Sequence, residues 1–396
     1  MSERFIFLIL LGIDALLLFL ESGGISISYR EAKTLYESDT LLHDLVNGSI
    51  ALFGQNDFAL RLPTIAMHLA AVVLFYRLSG GYLKRGKDRL WLVAIFMLLP
   101  GVSSSALLVD NSALVILFLL AYAVLQEHSE RAAMLLLIPA VFIDVAFAPL
   151  FLGLFFYALN EKRGVYLSAA PLLLFGLSMY LHGFDPHGTP KGHFLDVLGL
   201  YAVIFSPIVF VYLVYTLFRL SVQRRFSLLW YLAAVPLLLS LVLSFRQVID
   251  IQVFAPYLIL AMPLAAQLFS HSYRVRLKIY RQKYRLLFAL SFALLILNTL
   301  AVFFNKEIYA LLEEGQRHFA HRQHVAKELA AALRERGVEC ALLDDPKMQL
   351  RLRFYGIGRC PRYRVTLPEG GGESDVTISY SGYVVYRANV TEIPKI

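Results

Sequence analysis

Residues 286–305 read LLFALSFALLILNTLAVFFN, twenty positions without a charged side chain, approached through Arg281, Lys283 and Arg285. Twenty helical residues span about 30 Å, the thickness of a bilayer's hydrocarbon core. Only a helix or a closed barrel can satisfy its backbone there, so the stretch reads as a transmembrane helix. The pattern recurs throughout the chain. Of 396 residues, 58% are hydrophobic and 17% are charged, against roughly half and a quarter in a soluble domain. The spacing predicts about eleven spans, at residues 5–22, 62–79, 90–105, 108–125, 132–146, 147–160, 164–181, 194–218, 227–245, 252–270 and 286–305. Asp144 and Pro149 interrupt the run 132–160, where two short helices are an alternative to two full spans. The expected fold class is an all-α polytopic membrane protein with a small C-terminal α/β domain.

The net charge of +8 sits mainly in short loops between spans, which excludes a nucleic-acid reading. One alternate set of loops holds Lys84, Arg85, Lys87 and Arg89, then Arg131, Lys162, Arg163, Arg219, Arg224 and Arg225, then the run from Arg274 to Arg285. The other set holds Arg30, Lys33, Arg61, Lys191 and Arg246. The richer set is expected in the cytoplasm. The N-terminus is then inside, its first apolar run an uncleaved span. An odd number of spans places the C-terminal domain outside, in the periplasm if the membrane is a bacterial inner membrane.

This predicts a membrane module over 1–305 and an extracytoplasmic domain over 306–396. In the first outward loop, 23–61, the spacing of Leu41, Leu42, Leu45, Ile50 and Leu52 suits helices lying along the interface. Residues 182–193 are rich in turn formers and histidine. In the tail, 320–336 reads as an amphipathic helix stopped by Gly337, with a short helix near 346–356 and a Gly-rich turn at 370–372. Strands are expected at 338–343, 363–367, 375–380 and 383–387. Cys340 and Cys360 both lie in this domain, and an oxidising compartment favours a disulfide over two buried thiols. No residue pattern offers a dedicated metal-ligand cluster, and no cofactor is implied; a divalent metal has no support in the sequence.

Carboxylates in or at the edge of a bilayer are costly and are therefore functional candidates. Asp14 falls mid-span, where a polar contact between helices is the simpler reading. Asp144 at a helix break reads equally as a cap. Asp110 opens the fourth span after Ser103, Ser104 and Ser105, beside Asn111. Glu31, in the first outward loop, faces the same side. Two converging acids could activate a hydroxyl while cations hold a departing phosphate.

The stretch FGQNDFALRLP, Phe53 to Pro63, followed by a span carrying Tyr76, Arg77 and Leu78, resembles a recurrent segment of the GT-C superfamily. It is most similar to the ArnT/PMT-like branch of polyprenyl-phosphate-sugar-dependent glycosyltransferases. In that branch an acidic pair followed by alanine stands in the first outward loop, and an aspartate opens the fourth span. Here Arg30-Glu31-Ala32 and Leu107-Leu108-Val109-Asp110-Asn111 occupy those places. Arg30 replaces the first acid, and Ser38-Asp39-Thr40-Leu41 stands where a proline-containing segment is usual.

The resemblance implies transfer of a sugar from a polyprenyl-phosphate donor to an acceptor hydroxyl at the outer membrane face, with inversion. The acceptor would be a lipid, a glycan or a protein, and Glu31 or Asp110 would serve as base. Arg30, Lys33, Arg61, Lys191 and Arg246 are the outward cations for the leaving phosphate, with Arg246 foremost. Asn111, His193 and Tyr257 complete the expected substrate contacts. Two other readings stay open: a relative that binds without catalysis, which Arg30 favours, and a secondary transporter built on Asp14, Asp144 and Pro149.

Overall fold

Serine and threonine caps, proline breaks and apolar runs set the helix boundaries in the computed structural model, which describes residues 2–162, 164–183, 192–304, 306, 324–367, 374–380 and 382–393. The first helices are α1 (Glu3–Ser22), α2 (Tyr29–Glu37), α3 (Leu41–Phe53) and α4 (Asp57–Tyr82). They are followed by α5 (Gly86–Met97), α6 (Pro100–Leu107), α7 (Asn111–His128), α8 (Glu130–Ile143), α9 (Ala148–Asn160) and α10 (Val165–His182). Then come α11 (Phe194–Phe205), α12 (Pro207–Val222), α13 (Leu228–Leu243), α14 (Ile251–Leu258), α15 (Ala261–Val275) and α16 (Arg281–Phe303). Two more helices, α17 (Ala326–Glu335) and α18 (Pro346–Phe354), accompany the strands near the C-terminus.

Against the eleven spans expected, five helical stretches among the described residues are long and apolar enough to cross a membrane: α1, α4, α7, Ile251–Val275 and Lys278–Phe303. Counting each of two bent pairs as one span gives seven. The pair α5 and α6 turns by 58° before Pro100, and α11 and α12 by 107° at Ser206-Pro207. Proline has no N–H for the preceding turn, and Ser206 takes a positive φ of 64°. The run expected as one span at 194–218 is therefore two helices. Residues 132–160 form two short helices, α8 and α9, joined by a 3-10 turn at Val145–Phe147. Asp144 caps that turn through the Ala146 amide, and Pro149 opens α9 where no N–H is needed.

The described chain divides into two compact units. The helical unit comprises Met1–Ala15, Thr64–Ala106 and Asn111–Thr299. Its core includes Phe75, Phe96, Phe147, Phe151, Tyr201 and Tyr257, while Leu8, Leu173, Val203 and Leu286 are exposed. Large apolar side chains on the outer face suit a surface meant for hydrocarbon rather than water. Asp14 makes a 2.7 Å contact with His68 Nε2, the polar helix–helix contact expected of it.

The second unit comprises Leu16–Pro63, Leu107–Asp110 and Leu300–Ile396. Its sheet is mixed, in the order β1-β2-β4-β3, from β1 (Leu342–Leu343), β2 (Tyr363–Thr366), β3 (Val376–Tyr380) and β4 (Tyr383–Glu392). β1 runs parallel to β2, and the other pairs are antiparallel. In β3 the alternation puts Val376, Ile378 and Tyr380 inward, onto a core shared with Leu329 and Leu333 of α17 and Leu352 of α18. Cys340 and Cys360 form a disulfide. Residues 320–323 of the expected tail helix and the turn at 370–372 lie outside the described residues.

In the helical unit, α6 meets the chain near Ser206 through Gly101. A Cβ at Gly101 would overlap Ile204 Cγ2 and lie 3.2 Å from the Ile204 carbonyl oxygen. The branched neighbour has no free end to swing away. Gly101→Ala should destabilise the full chain in detergent by about 1–3 kcal/mol in thermal unfolding, and adding Ile204→Ala should recover part of the loss. A neutral Gly101→Ala would show that the two segments are not in contact.

Candidate functional site

Ser28 is followed at the third helical position by Glu31, the spacing of a capping box. The structure builds it: Ser28 Oγ accepts from the Glu31 amide, and Glu31 Oε2 accepts from the Ser28 amide at 2.7 Å. This turns the Glu31 carboxylate inward, to 1% exposure. There it meets Arg61 of α4, with Nη2 at 3.4 Å from Oε1 and 3.5 Å from Oε2. Oε1 also accepts from the Val109 amide at 3.2 Å. The first-loop acid is thus joined to the residue immediately before Asp110, and both expected catalytic acids belong to the second unit. Asp110 itself is half-buried.

Arg61 is fully buried. Nη1 donates to the carbonyls of Ser22 at 2.8 Å and Ile25 at 2.9 Å, and Nη2 to that of Ser26 at 3.3 Å. Asp57, one helical turn earlier, lies 3.9 Å from Nη1. Instead of an outward cation for a phosphate, Arg61 is the centre of a folded loop. Asp57 also takes Lys327 Nζ at 2.7 Å and the Tyr355 hydroxyl at 2.6 Å. Burial, and next the Asp57 carboxylate, push the Tyr355 hydroxyl well above its ordinary pKa, which keeps it a donor. The same oxygen accepts from the Ile27 amide at 2.9 Å. Arg351, also buried, donates to the carbonyls of Ile27 at 2.7 Å and His324 at 2.6 Å.

The sequence pattern alone assigns no role to Asp57, Tyr355 or Arg351. The i,i+4 spacing of Asp57 and Arg61 at a helix start was the available signal. Nothing local pointed to Tyr355 or Arg351, whose partners lie some three hundred positions away.

The other expected contacts are dispersed. Arg30 and Lys33 are exposed on α2, three positions apart on one face. Tyr257 is fully buried: its hydroxyl donates to the Ala146 carbonyl at 2.6 Å and accepts from the Leu150 amide at 3.1 Å. It ties down the turn before α9, and no substrate reaches it. Asn111 donates to Asp144 at 2.6 Å. His193 stands at the N-cap position of α11 with its Nδ1 3.4 Å from Asp196 Oδ2, and Arg246 is exposed in the turn after α13; both belong to the helical unit. Lys191 lies outside the described residues. Among those described, no group of three or more His, Cys, Asp or Glu side chains could hold a metal ion.

Taken over nearly its whole length, the chain shares its fold with a solved membrane protein. It is similar to the crystal structure of ArnT from Cupriavidus metallidurans in the apo state, with a TM-score of 0.57 and 11% identity over 93% of this chain and 94% of that one. No protein-family model and no curated protein matches the chain in sequence. At this identity the likeness is one of fold.

Removing Arg61 takes the guanidinium away from the Glu31 and Asp57 carboxylates and leaves the carbonyls of Ser22, Ile25 and Ser26 without its donors. Arg61→Met should cost about 3–5 kcal/mol in thermal unfolding of the full chain, and Arg61→Met with Glu31→Gln should cost less than Arg61→Met alone. Arg30→Ala, one residue from Glu31 but exposed, should stay within about 0.5 kcal/mol of wild type. Equal losses at Arg30 and Arg61 would contradict the buried network.

Proposed function

We propose that this protein is an integral-membrane glycosyltransferase that moves a sugar from a polyprenyl-phosphate donor to an acceptor hydroxyl, with inversion. The contact between Glu31 and the Val109 amide carries this reading, because it joins the first-loop acid to the span-opening acid in one unit. The ArnT-like fold agrees with it. Asp110 is the general base, and Glu31 is a positioning residue. The division of labour follows from burial: Glu31 spends its oxygens on Ser28, Arg61 and Val109 at 1% exposure. No acceptor hydroxyl reaches such a group. Asp110 is half-buried and sits where Glu31 fixes the backbone.

In the reaction, the acceptor hydroxyl gives its proton to the Asp110 carboxylate as its oxygen attacks the anomeric carbon. The bond from that carbon to the phosphate oxygen breaks on the opposite face, and the electron pair leaves with the polyprenyl phosphate. Arg30 and Lys33, exposed together on α2, supply positive charge for that leaving group. Arg30, standing where the family has an acid, therefore serves the phosphate rather than the proton. The charge bias of the loops puts this chemistry on the extracytoplasmic face, with residues 306–396 as an extracytoplasmic domain.

The test incubates the purified full chain with labelled polyprenyl-phosphate sugars and cell-envelope acceptors. Asp110→Asn should lower kcat by about 10²–10⁴-fold with the donor KM little changed. Glu31→Gln should lower kcat and the unfolding temperature together, whereas Arg30→Gln with Lys33→Gln should raise the donor KM. Unchanged transfer in Asp110→Asn removes the base assignment. Folded wild type that transfers no sugar from any donor removes the activity itself.

A further inference from the structure

The helical unit contains a cavity of about 500 Å³, within the range of small-molecule sites and unrelated to the acids above. Its walls are rings from four helices: Trp91 of α5, Tyr212 of α12, Phe269 of α15 and Phe288 of α16. Trp91 packs edge-on against Phe288 at 5.4 Å, and Phe269 meets both Phe288 at 5.8 Å and Tyr212 at 6.1 Å. Four arginines also line it: Arg85, Arg274, Arg281 and Arg285, against a single acid, Asp88. Asp88 is paired with Arg274. The other three have no carboxylate partner among the described residues.

Two of those three are already held in place. Arg281 donates Nε to the Arg276 carbonyl and Nη2 to the Arg274 carbonyl, both at 2.9 Å. Arg285 Nε donates to the Tyr273 hydroxyl at 2.8 Å. Their charge is fixed beside the cavity by neutral acceptors, so little ordering remains to be done when an anion arrives.

The geometry points to a binding site for an anionic glycerophospholipid, its phosphate among Arg85, Arg281 and Arg285 and an acyl chain along the rings. A free phosphate would leave the apolar walls unused, and a neutral lipid would leave three cations unused. The two together select an amphipathic anion. Arg85 and the stretch from Arg274 to Arg285 belong to the loops that the charge bias assigns to the cytoplasmic side, where anionic phospholipids are concentrated and basic pockets between spans take their headgroups. The proposed sugar donor acts at the other face, which favours a bilayer phospholipid over a polyprenyl phosphate. The site is independent of the proposed transferase reaction.

Trp91 is a built-in reporter, since the chain has 2 tryptophans and Trp230→Phe leaves it alone. The full chain carrying that substitution is reconstituted in phosphatidylcholine vesicles with a minor fraction of phosphatidylglycerol brominated in its acyl chains. Quenching should saturate and exceed that from the same fraction of brominated phosphatidylcholine. Arg85→Gln with Arg285→Gln should weaken the preference by about 30-fold, at about fivefold per arginine. Quenching by brominated phosphatidylcholine should stay unchanged in that variant, showing an intact fold. Equal quenching by the two lipids, or a preference that survives in the double variant, overturns the proposal. So does relief of quenching by unlabelled polyprenyl phosphate at a lower fraction than by unlabelled phosphatidylglycerol.

Discussion

The second unit is organised around one guanidinium with no access to water. A buried arginine must place its donors on acceptors or it destabilises the fold. Arg61 places its two terminal nitrogens on the carbonyls of Ser22, Ile25 and Ser26 and on the carboxylate of Glu31. Ser22 ends α1, where carbonyls lack intrahelical partners and a cation meets the negative end of the helix dipole. One side chain therefore terminates α1, folds the chain after it and orients α2. The planar fork of arginine suits this role, and a lysine could not divide a single charge among so many acceptors.

Such a centre is a weak source of net stability, because desolvating ions offsets much of their attraction. Its value is register. Glu31 can reach the Val109 amide only when α2 starts at Tyr29, and that start is set by the capping box with Ser28. Asp57 extends the same logic: it meets Arg61, Lys327 and the Tyr355 hydroxyl, so the beginning of α4 is aligned with α17 and with the end of α18. Arg351 adds the carbonyls of Ile27 and His324. Polar groups that satisfy one another in this way leave the segment before Asp110 a single position.

Much of this architecture was legible in the sequence, for reasons that differ by element. The long apolar runs announced α1, α4 and α16 because crossing a bilayer demands length and uniformity. The bend between α11 and α12 was not read, although Pro207 stands at it, because apolar residues continue without interruption on either side. In the tail, period-two alternation placed β3 to the residue except at its first position, whereas β4 runs five residues past the expected end. Its extension pairs with both β2 and β3, and such support is tertiary. At the candidate site, chain order and helix-start position single out Glu31 and Asp110 but do not say which is buried. The sequence pattern makes Arg61 an outward cation and Tyr257 a substrate contact within a span. Both proved to be interior fasteners for backbone carbonyls.

The partnership of Asp57 with Tyr355 also sets a timetable. The two are 298 positions apart, so at a synthesis rate of about 5–20 residues per second the first waits roughly 15–60 s for the second to exist. For most of that interval the nascent chain has its opening loop synthesised while Lys327, Arg351 and Tyr355 are still untranslated. The loop's acids must stay hydrated or be shielded by the insertion machinery until the last segment arrives. A ribosome stalled before Tyr355 would release a chain with its membrane helices complete and this polar centre unfinished, a species that quality-control proteases could recognise by its unclosed loop.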